Sequence, residues 1–349
     1  MPFSKTAATA GPPVAELRRL VLTQPFRIAH GASSERLVLR LRQGEGIGEA
    51  PFVPYYPDTA EEVLEWLAQR EPNREWTQEE EVAAPGVVRL AADVLRHDLL
   101  AKRHNMPVWR LLKQPDPTGM RACRSLGIPS DLQEFSEQVR RFSGQFDVFK
   151  LKLGSGNPYF DEAIVAAARE AAPRALFFGD VNGGWSVNEA AVLLPKMKRL
   201  GLAFVEQPVH HAGGMEVWRE LQAALPCHTL PLYADESVQT VADLRKFAGL
   251  VQGVNIKLLK SGGFSGALEL LAVARALGCG TLLGSMIESS IGVTAAAHLA
   301  GGFDWIDLDG HLYLENDDFK GLFYDPEGRL GMPAGPGIGV QARRGMTFS

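Results

Sequence analysis

Apolar and polar positions change rhythm once along this 349-residue chain. Residues 1–11 read as a tail. Three short β-like runs follow, Glu16–Leu22, Arg36–Arg42 and Ile47–Ala50, with turn residues Gly44 and Gly46 between the last two. Helical spacing then takes over. Asp58–Gln69 carries Val63, Leu64 and Leu67 on one face, with Asp58 or Thr59 as N-cap. Val87–His104 repeats apolar residues at helical intervals, and Met106–Leu112 predicts one more short helix. Strands followed by helices describe a small α+β domain. The Pro-rich piece Gln114–Gly119 reads as its linker.

Beyond the linker, short apolar runs alternate with helical patterns. The runs are Arg124–Ile128, Val148–Leu153, Leu176–Val181, Ala203–Glu206, Leu232–Asp235, Gly253–Leu258, Thr281–Ile287 and Trp305–Leu308. Their starts lie about 20–30 residues apart, one βα unit per step. Eight such runs fit a TIM-type barrel, and a doubly wound open sheet fits the same spacing. What separates the two is where the polar residues fall.

They fall at the ends of successive runs. Lys150 and Lys152 share one face of their strand, because side chains alternate. Asp180 and Asn182, Glu206, Asp235 and Asn255–Lys257 follow on the next runs. Asp180, Glu206 and Asp235 are 26 and 29 residues apart, which places them on neighbouring strands. Three carboxylates so close repel one another unless a cation neutralises them, and an all-oxygen set suits a hard ion, Mg²⁺ or Mn²⁺. In a closed barrel the second and sixth strands stand on opposite walls, so Lys152 and Lys257 address both faces of one substrate carbon. A carboxylate substrate beside the cation has its α-proton acidified through a stabilised enediolate, and a lysine with a lowered pKa serves as the base.

Composition narrows the class. The chain is 46% hydrophobic and 22% charged, enough to bury a large core. The net charge of −5 argues against a nucleic-acid surface. No run reaches about 18 apolar residues, so no membrane partner is expected, and the N-terminus lacks a signal-peptide core. Cys123, Cys227 and Cys279 are odd in number and far apart, which favours a reducing cytoplasm. Barrels with open outer faces often assemble symmetrically, so a homo-oligomer is expected.

The constellation Lys150-x-Lys152, Asp180-x-Asn182, Glu206-Gln-Pro, Asp235-Glu236-Ser237 and Asn255-Ile-Lys257 with Lys260-Ser-Gly-Gly resembles the enolase superfamily, in its muconate-lactonising subgroup. The resemblance implies an α/β fold: an enolase-like modified TIM barrel, (β/α)7β, over 116–324, with an N-terminal α+β capping domain over 1–115. The tail 325–349 is expected to pack back on that domain. The resemblance further implies one Mg²⁺ per subunit on Asp180, Glu206 and Asp235, acid/base roles for Lys152 and Lys257, and a substrate-carboxylate contact for Lys150. Asp307-x-Asp309 on the last run is similar to the dipeptide epimerase branch, where such a pair holds the substrate ammonium. In that branch the positions of Ser125, Ser285 and Met286 also contact the dipeptide. The implied activity is inversion of the α-carbon of the C-terminal residue of a dipeptide, of the L-Ala-L/D-Glu type. Some Ala-Glu epimerases carry an arginine shortly after the Pro-Phe pair; here Arg27 and then His30 follow Pro25-Phe26.

Plainer readings stand beside these. Glu236 points away from its neighbour Asp235 and supports the site from behind, as does Asn182. Lys260 reads as a solvated or supporting lysine at a loop edge. His210 and His211 face opposite ways on an extended segment and lack a third ligand. His298 reads as a packed or surface residue. The segments Gly31–Ser34 and Pro51–Pro57 read as loops that fold over the barrel mouth. Two other functions use similar residues: a cycloisomerase of the muconate or o-succinylbenzoate type, and a non-catalytic metal- or peptide-binding barrel. The Asp307/Asp309 pair separates the first from an epimerase, and lysines on both walls separate the second.

Overall fold

A computed structural model describes residues 13–54, 56–70, 76–225 and 230–343. Tyr55, Cys227 and both tail ends lie outside the described residues.

The N-terminal sheet is a meander: β1 (Val14–Ile28) pairs antiparallel with β2 (Gly31–Gln43), which pairs with β3 (Gly46–Pro51). The β1–β2 hairpin runs further than the apolar pattern predicts. Gly31–Ser34, expected as a loop, belongs to β2, and only Ala29 and His30 form the turn. Gly31, Ala32 and Ser34 are exposed, so this stretch carries no buried apolar alternation to betray a strand. Helix α1 (Ala60–Ala68) is capped by Thr59, whose hydroxyl and Glu62 form a capping box. Asp58, the other candidate, instead accepts a hydrogen bond from Val87 N at the start of α3 (Gly86–Arg103). Between them lies α2 (Gln78–Ala83), which the apolar pattern misses. A Thr77–Glu80 capping box was its one legible signal. The apolar stripe of α3 packs on β3. A Cβ on Gly48 would sit 2.0 Å from Ala91 O, so the absent side chain lets helix and strand touch. Helix α4 (Val108–Leu111) completes this unit.

The barrel strands are β4 (Arg124–Leu126), β5 (Val148–Lys152), β6 (Leu176–Asp180), β7 (Leu202–Glu206), β8 (Leu232–Ala234), β9 (Gly253–Ile256), β10 (Gly280–Gly284) and β11 (Trp305–Asp307). All are parallel and follow sequence order, and an Ala122–Ile306 bridge joins the two ends of the sheet. The sheet is therefore a barrel and not an open wound sheet. Helices α5 (Leu132–Phe142), α6 (Pro158–Ala171), α7 (Val187–Arg199), α8 (Gly214–Ala224), α9 (Val241–Phe247), α10 (Leu258–Ser261), α11 (Phe264–Ala276) and α12 (Ser290–Ala297) connect the strands. Short α10 precedes α11 in one crossover, which gives seven βα units and a last strand.

An apolar plug fills the barrel: Cys123, Val148, Phe178, Phe204, Tyr233 and Leu282. Phe204 stacks between Phe178 and Tyr233, with ring centroids 4.5 and 4.0 Å away. Strand side chains repeat every two residues. One pleat above that plug, the same inner face therefore presents Ser125, Lys150, Asp180, Glu206 and Asp235, and Asp307 stands one pleat above Trp305. The polar layer is thus the C-terminal mouth of the barrel, where barrel chemistry sits.

The two units are tied by a buried ionic network. Glu49 on β3 accepts hydrogen bonds from Arg40, and from the hydroxyl and N–H of Ser289, the N-cap of α12. Arg40 also donates to Asp318. The last described segment returns to the N-terminal unit: Ile338 N donates to Asp98 on α3, and Val108 N to Gly337 O. Among the described residues, no helix is long and apolar enough to cross a membrane.

Candidate active site

Asp180, Glu206 and Asp235 are completely buried and converge. One oxygen of each lies within 4.8 Å of the others. Among the described residues this is the only group of three or more His, Cys, Asp or Glu side chains with that geometry. Lysines surround it. Lys152 Nζ is 2.6 Å from Asp180 Oδ2 and 3.0 Å from Asn182 Oδ1. Lys257, one residue past β9, donates to Asp235 Oδ2 at 2.8 Å. Lys150 Nζ stands 2.9 Å from Asp180 Oδ2, 2.9 Å from Glu206 Oε2 and 2.8 Å from Asp307 Oδ2. In the order of the closed sheet, β5 and β9 face each other across the barrel, so Lys152 and Lys257 approach from opposite walls.

The donor set fits a hard divalent cation. All three groups offer carboxylate oxygens. Glu206 Oε1 accepts from Asn255 at 2.6 Å, whereas its buried Oε2 makes no hydrogen bond and has Lys150 Nζ 2.9 Å away as an ion-pair neighbour. Burial and the neighbouring Asp180 push Glu206 up to about 8. Burial acts the same way on Asp180, but Lys150 and Lys152 outweigh it and hold this carboxyl at about 2. The lysines answer in kind. Burial pulls Lys257 and Lys150 down, and the facing carboxylates outweigh it and hold both well above the usual ammonium range. The lowered lysine expected from the sequence presumes a cation's charge in place of these direct carboxylate contacts.

Lys260 is not solvated, as one sequence reading had it. Its ammonium is buried, donates to Asp235 Oδ1 at 2.5 Å, and also reaches the carbonyls of Asp235, Val238 and Asn255. The short helix α10 turns it inward. Asp235 is thereby held from behind by Lys260 and from the front by Lys257. Glu236 is also buried and accepts from Asn182 Nδ2 at 3.1 Å. Gln207 had no expected role. Its side chain accepts from the N–H groups of Asp235 and Ser237 and donates to Ser237 Oγ, which joins the ends of β7 and β8. Gln207 and Asn182 hold left-handed backbone, φ 40° and 47°, at the strand ends beside the triad.

The Asp307 and Asp309 carboxylates close the other end of the cavity. Asp307 accepts from Lys150 and from Ser125 Oγ at 2.8 Å. Asp309 accepts from Ser125 N, Arg124 and the Tyr313 hydroxyl. Lys150 outweighs burial and lowers Asp307, whereas burial raises Asp309. Arg124 and Tyr313 were not anticipated, since Tyr313 lies in a turn after the last strand. Ser285 donates through N and Oγ to Asp307 O, and Met286 Sδ lies 3.9 Å from Lys257 Nζ.

The β1–β2 hairpin roofs this mouth. Phe26, Ile28 and His30 line the cavity that holds Lys150, Lys152, Lys257, Asp307 and Asp309. Arg27, on the alternate face, does not; it lines a neighbouring cavity beside α5. The hairpin tip sits on the barrel loops. A Cβ on Gly154 (φ 78°) would meet Ala29 Cβ at 3.1 Å and Val181 O at 2.6 Å. His210 and His211 do not face opposite ways. A 3₁₀ turn starting at His211 stacks their rings 4.6 Å apart, and His30 meets His210 edge-on at 6.4 Å.

The family model described as enolase C-terminal domain-like matches residues 134–346. The chain belongs to that family. An L-Ala-D/L-amino acid epimerase of Maribacter sp. is 30% identical, over 86% of this chain and 89% of its own length. A hydrophobic dipeptide epimerase of Citrifermentans bemidjiense is 32% identical, over 95% of this chain and 97% of its own. The substrate-liganded structure of the L-Ala-D/L-Glu epimerase from Bacillus subtilis superposes with a TM-score of 0.83 at 25% identity, covering 95% of this chain and 98% of that one. These family members are epimerases, and the barrel with its N-terminal cap is the enolase-like arrangement.

Proposed function

We propose that this chain is a Mg²⁺-dependent dipeptide epimerase that inverts the α-carbon of the C-terminal residue. One observation carries the reading: Lys152 and Lys257 reach the acidic triad from opposite barrel walls, in a cavity that ends in Asp307 and Asp309. A divalent cation held by Asp180, Glu206 and Asp235 supplies the positive charge that acidifies the α-proton of a carboxylate bound beside it. Lys257 takes that proton from one face and Lys152 returns one to the other; the roles exchange for the opposite epimer. Lys150 meets the substrate carboxylate. Asp307 and Asp309 hold the amino-terminal ammonium, with Ser125, Ser285 and Met286 lining its path. Asn182 and Glu236 hold Lys152 and the triad from behind. The anionic pair opposes an amine-free diacid, which disfavours a cycloisomerase. The reading includes a homo-oligomer in a reducing cytoplasm, with Cys123 and Cys279 as buried free thiols.

The test is α-proton exchange in D₂O with Mg²⁺, followed by mass spectrometry on L,L-dipeptides. Wild-type protein gains one mass unit in accepted substrates and loses this activity in EDTA. Lys152→Ala and Lys257→Ala each abolish epimerisation, and each retains exchange with one epimer only. Normal epimerisation by both variants would overturn the two-lysine mechanism.

A further inference from the structure

The wall that carries Lys152 is fixed by a carboxylate that lies outside the cavity. Asp161 stands in the first turn of α6 and is completely buried. It accepts three hydrogen bonds from two different loops. Gly154 N and Ser155 N donate at 3.0 Å each, from the loop that leaves β5 just after Lys152. Trp185 Nε1 donates at 2.7 Å, from the loop that leaves β6 after Asp180 and Asn182. A buried donor or acceptor left without its partner is costly, so this carboxylate holds both loops docked.

The two loops meet through glycines. Leu153 N donates to Asp180 O at 2.8 Å. Just beyond, a Cβ on Gly184 would lie 2.9 Å from Gly154 Cα. Glycines bring no side chain to interlock, and Gly154 holds left-handed backbone, φ 78°, so the register at this junction rests on Asp161. The tip of the β1–β2 hairpin sits on the same junction: a Cβ on Gly154 or Gly184 would meet Ala29 Cβ at 3.1 or 3.0 Å. The effect reaches Lys152 from two sides. Its strand runs straight into Gly154, and its ammonium is held by Asp180 and by Asn182, three residues before Trp185. The opposite wall has its own support. Lys257 is held by Asp235, which Lys260 and Gln207 hold in turn. All three donors to Asp161 lie on the β5 and β6 loops.

We infer that Asp161 is a positioning residue for Lys152 and not for Lys257, so that its loss impairs proton transfer on one face of the substrate carbon. This inference rests on the two-lysine epimerase reading above. Misplacing a reacting group by about 1 Å costs about 100-fold. The experiment measures initial α-proton exchange in D₂O on the full chain at saturating Mg²⁺. The probes are the L,L-dipeptide that wild type exchanges fastest and its L,D epimer, each alone. Epimerisation falls equally in both directions, because equilibrium fixes their ratio, so exchange of each epimer is what separates the walls. The epimer still exchanged by Lys257→Ala reports Lys152, and the one still exchanged by Lys152→Ala reports Lys257. Asp161→Asn is expected to lower the Lys152-dependent exchange by at least about tenfold and to leave the Lys257-dependent exchange within about twofold. Trp185→Phe removes only the bond to the β6 loop and is expected to show a smaller loss on the same side; it carries the test if Asp161→Asn does not fold. Equal loss of both exchanges would make Asp161 a support of the fold alone, and no loss of either would remove its role; both overturn the inference and leave the epimerase reading standing. Wild-type exchange in no dipeptide, with Mg²⁺ binding shown by calorimetry, overturns the epimerase reading and this inference together.

Discussion

Lys260 shows how much of a site one side chain can hold without touching substrate. Its three N–H groups are shared among the rear oxygen of Asp235 and three backbone carbonyls, so it fixes the carboxylate from behind and leaves the front oxygen toward Lys257 and the triad. Residues that orient a metal ligand typically affect affinity 10–100-fold. Lys260→Met is therefore expected to weaken Mg²⁺ binding by about tenfold or more in calorimetric titration; an unchanged Kd would show that Asp235 is oriented without it. The sequence supplied the residue but not its direction, because strand alternation stops at Lys257 and the turn of α10 is set by packing. Arg27 and His30 illustrate the same limit. Both follow the Pro-Phe pair; the pleat of β1 turns Arg27 out of the cavity, and the Ala29–His30 turn brings His30 to its lining.

Among the elements, the barrel strands were the most legible. All eight runs became strands, because buried parallel strands carry near-continuous apolar stretches that end in polar residues only at the mouth. Helix α2 was missed because its exposed face, rich in Glu and with Val82 the solitary large apolar residue, has no buried stripe to give a period. The contact of α3 with β3 was equally silent: Gly48 sits within a strand whose every residue is buried, and its value lies in the side chain it lacks. Gly48→Ala places a methyl group against the Ala91 carbonyl, and backbone cannot rotate away as a side chain can. Overpacking of this kind costs about 1–3 kcal/mol or more. The expected outcome is a lower urea midpoint with unchanged m; a variant as stable as wild type would mean that α3 shifts freely on the sheet.

At the scale of the whole molecule, His298 joins three parts that are distant in sequence. At the C-terminal end of α12, its Nδ1 accepts from Trp109 N and its Nε2 faces Ile338 O, so the neutral Nε2–H form satisfies both. Burial lowers it to about 4. The unfolded chain binds this proton near pH 6.5 and the folded chain does not, so stability is complete above 6.5 and falls as pH drops toward 4. The loss reaches about 2 kcal/mol at pH 5. Wild type is expected to lose more urea resistance between pH 7 and pH 5 than His298→Gln; parallel losses would assign the acid sensitivity elsewhere. The sequence by itself determined the succession of parallel βα units, their order and the chemical character of the mouth. Alternation puts lysines and carboxylates on the inner face, and βα spacing puts the carboxylates on adjacent strands. Tertiary structure decided the rest: closure of the sheet through Ala122 and Ile306, which sets Lys152 opposite Lys257, the seating of the β1–β2 hairpin over the mouth, and the arrival of Tyr313, Arg124 and Lys260 in the site. Those contacts join residues far apart in the chain, and no local period records which surfaces will meet.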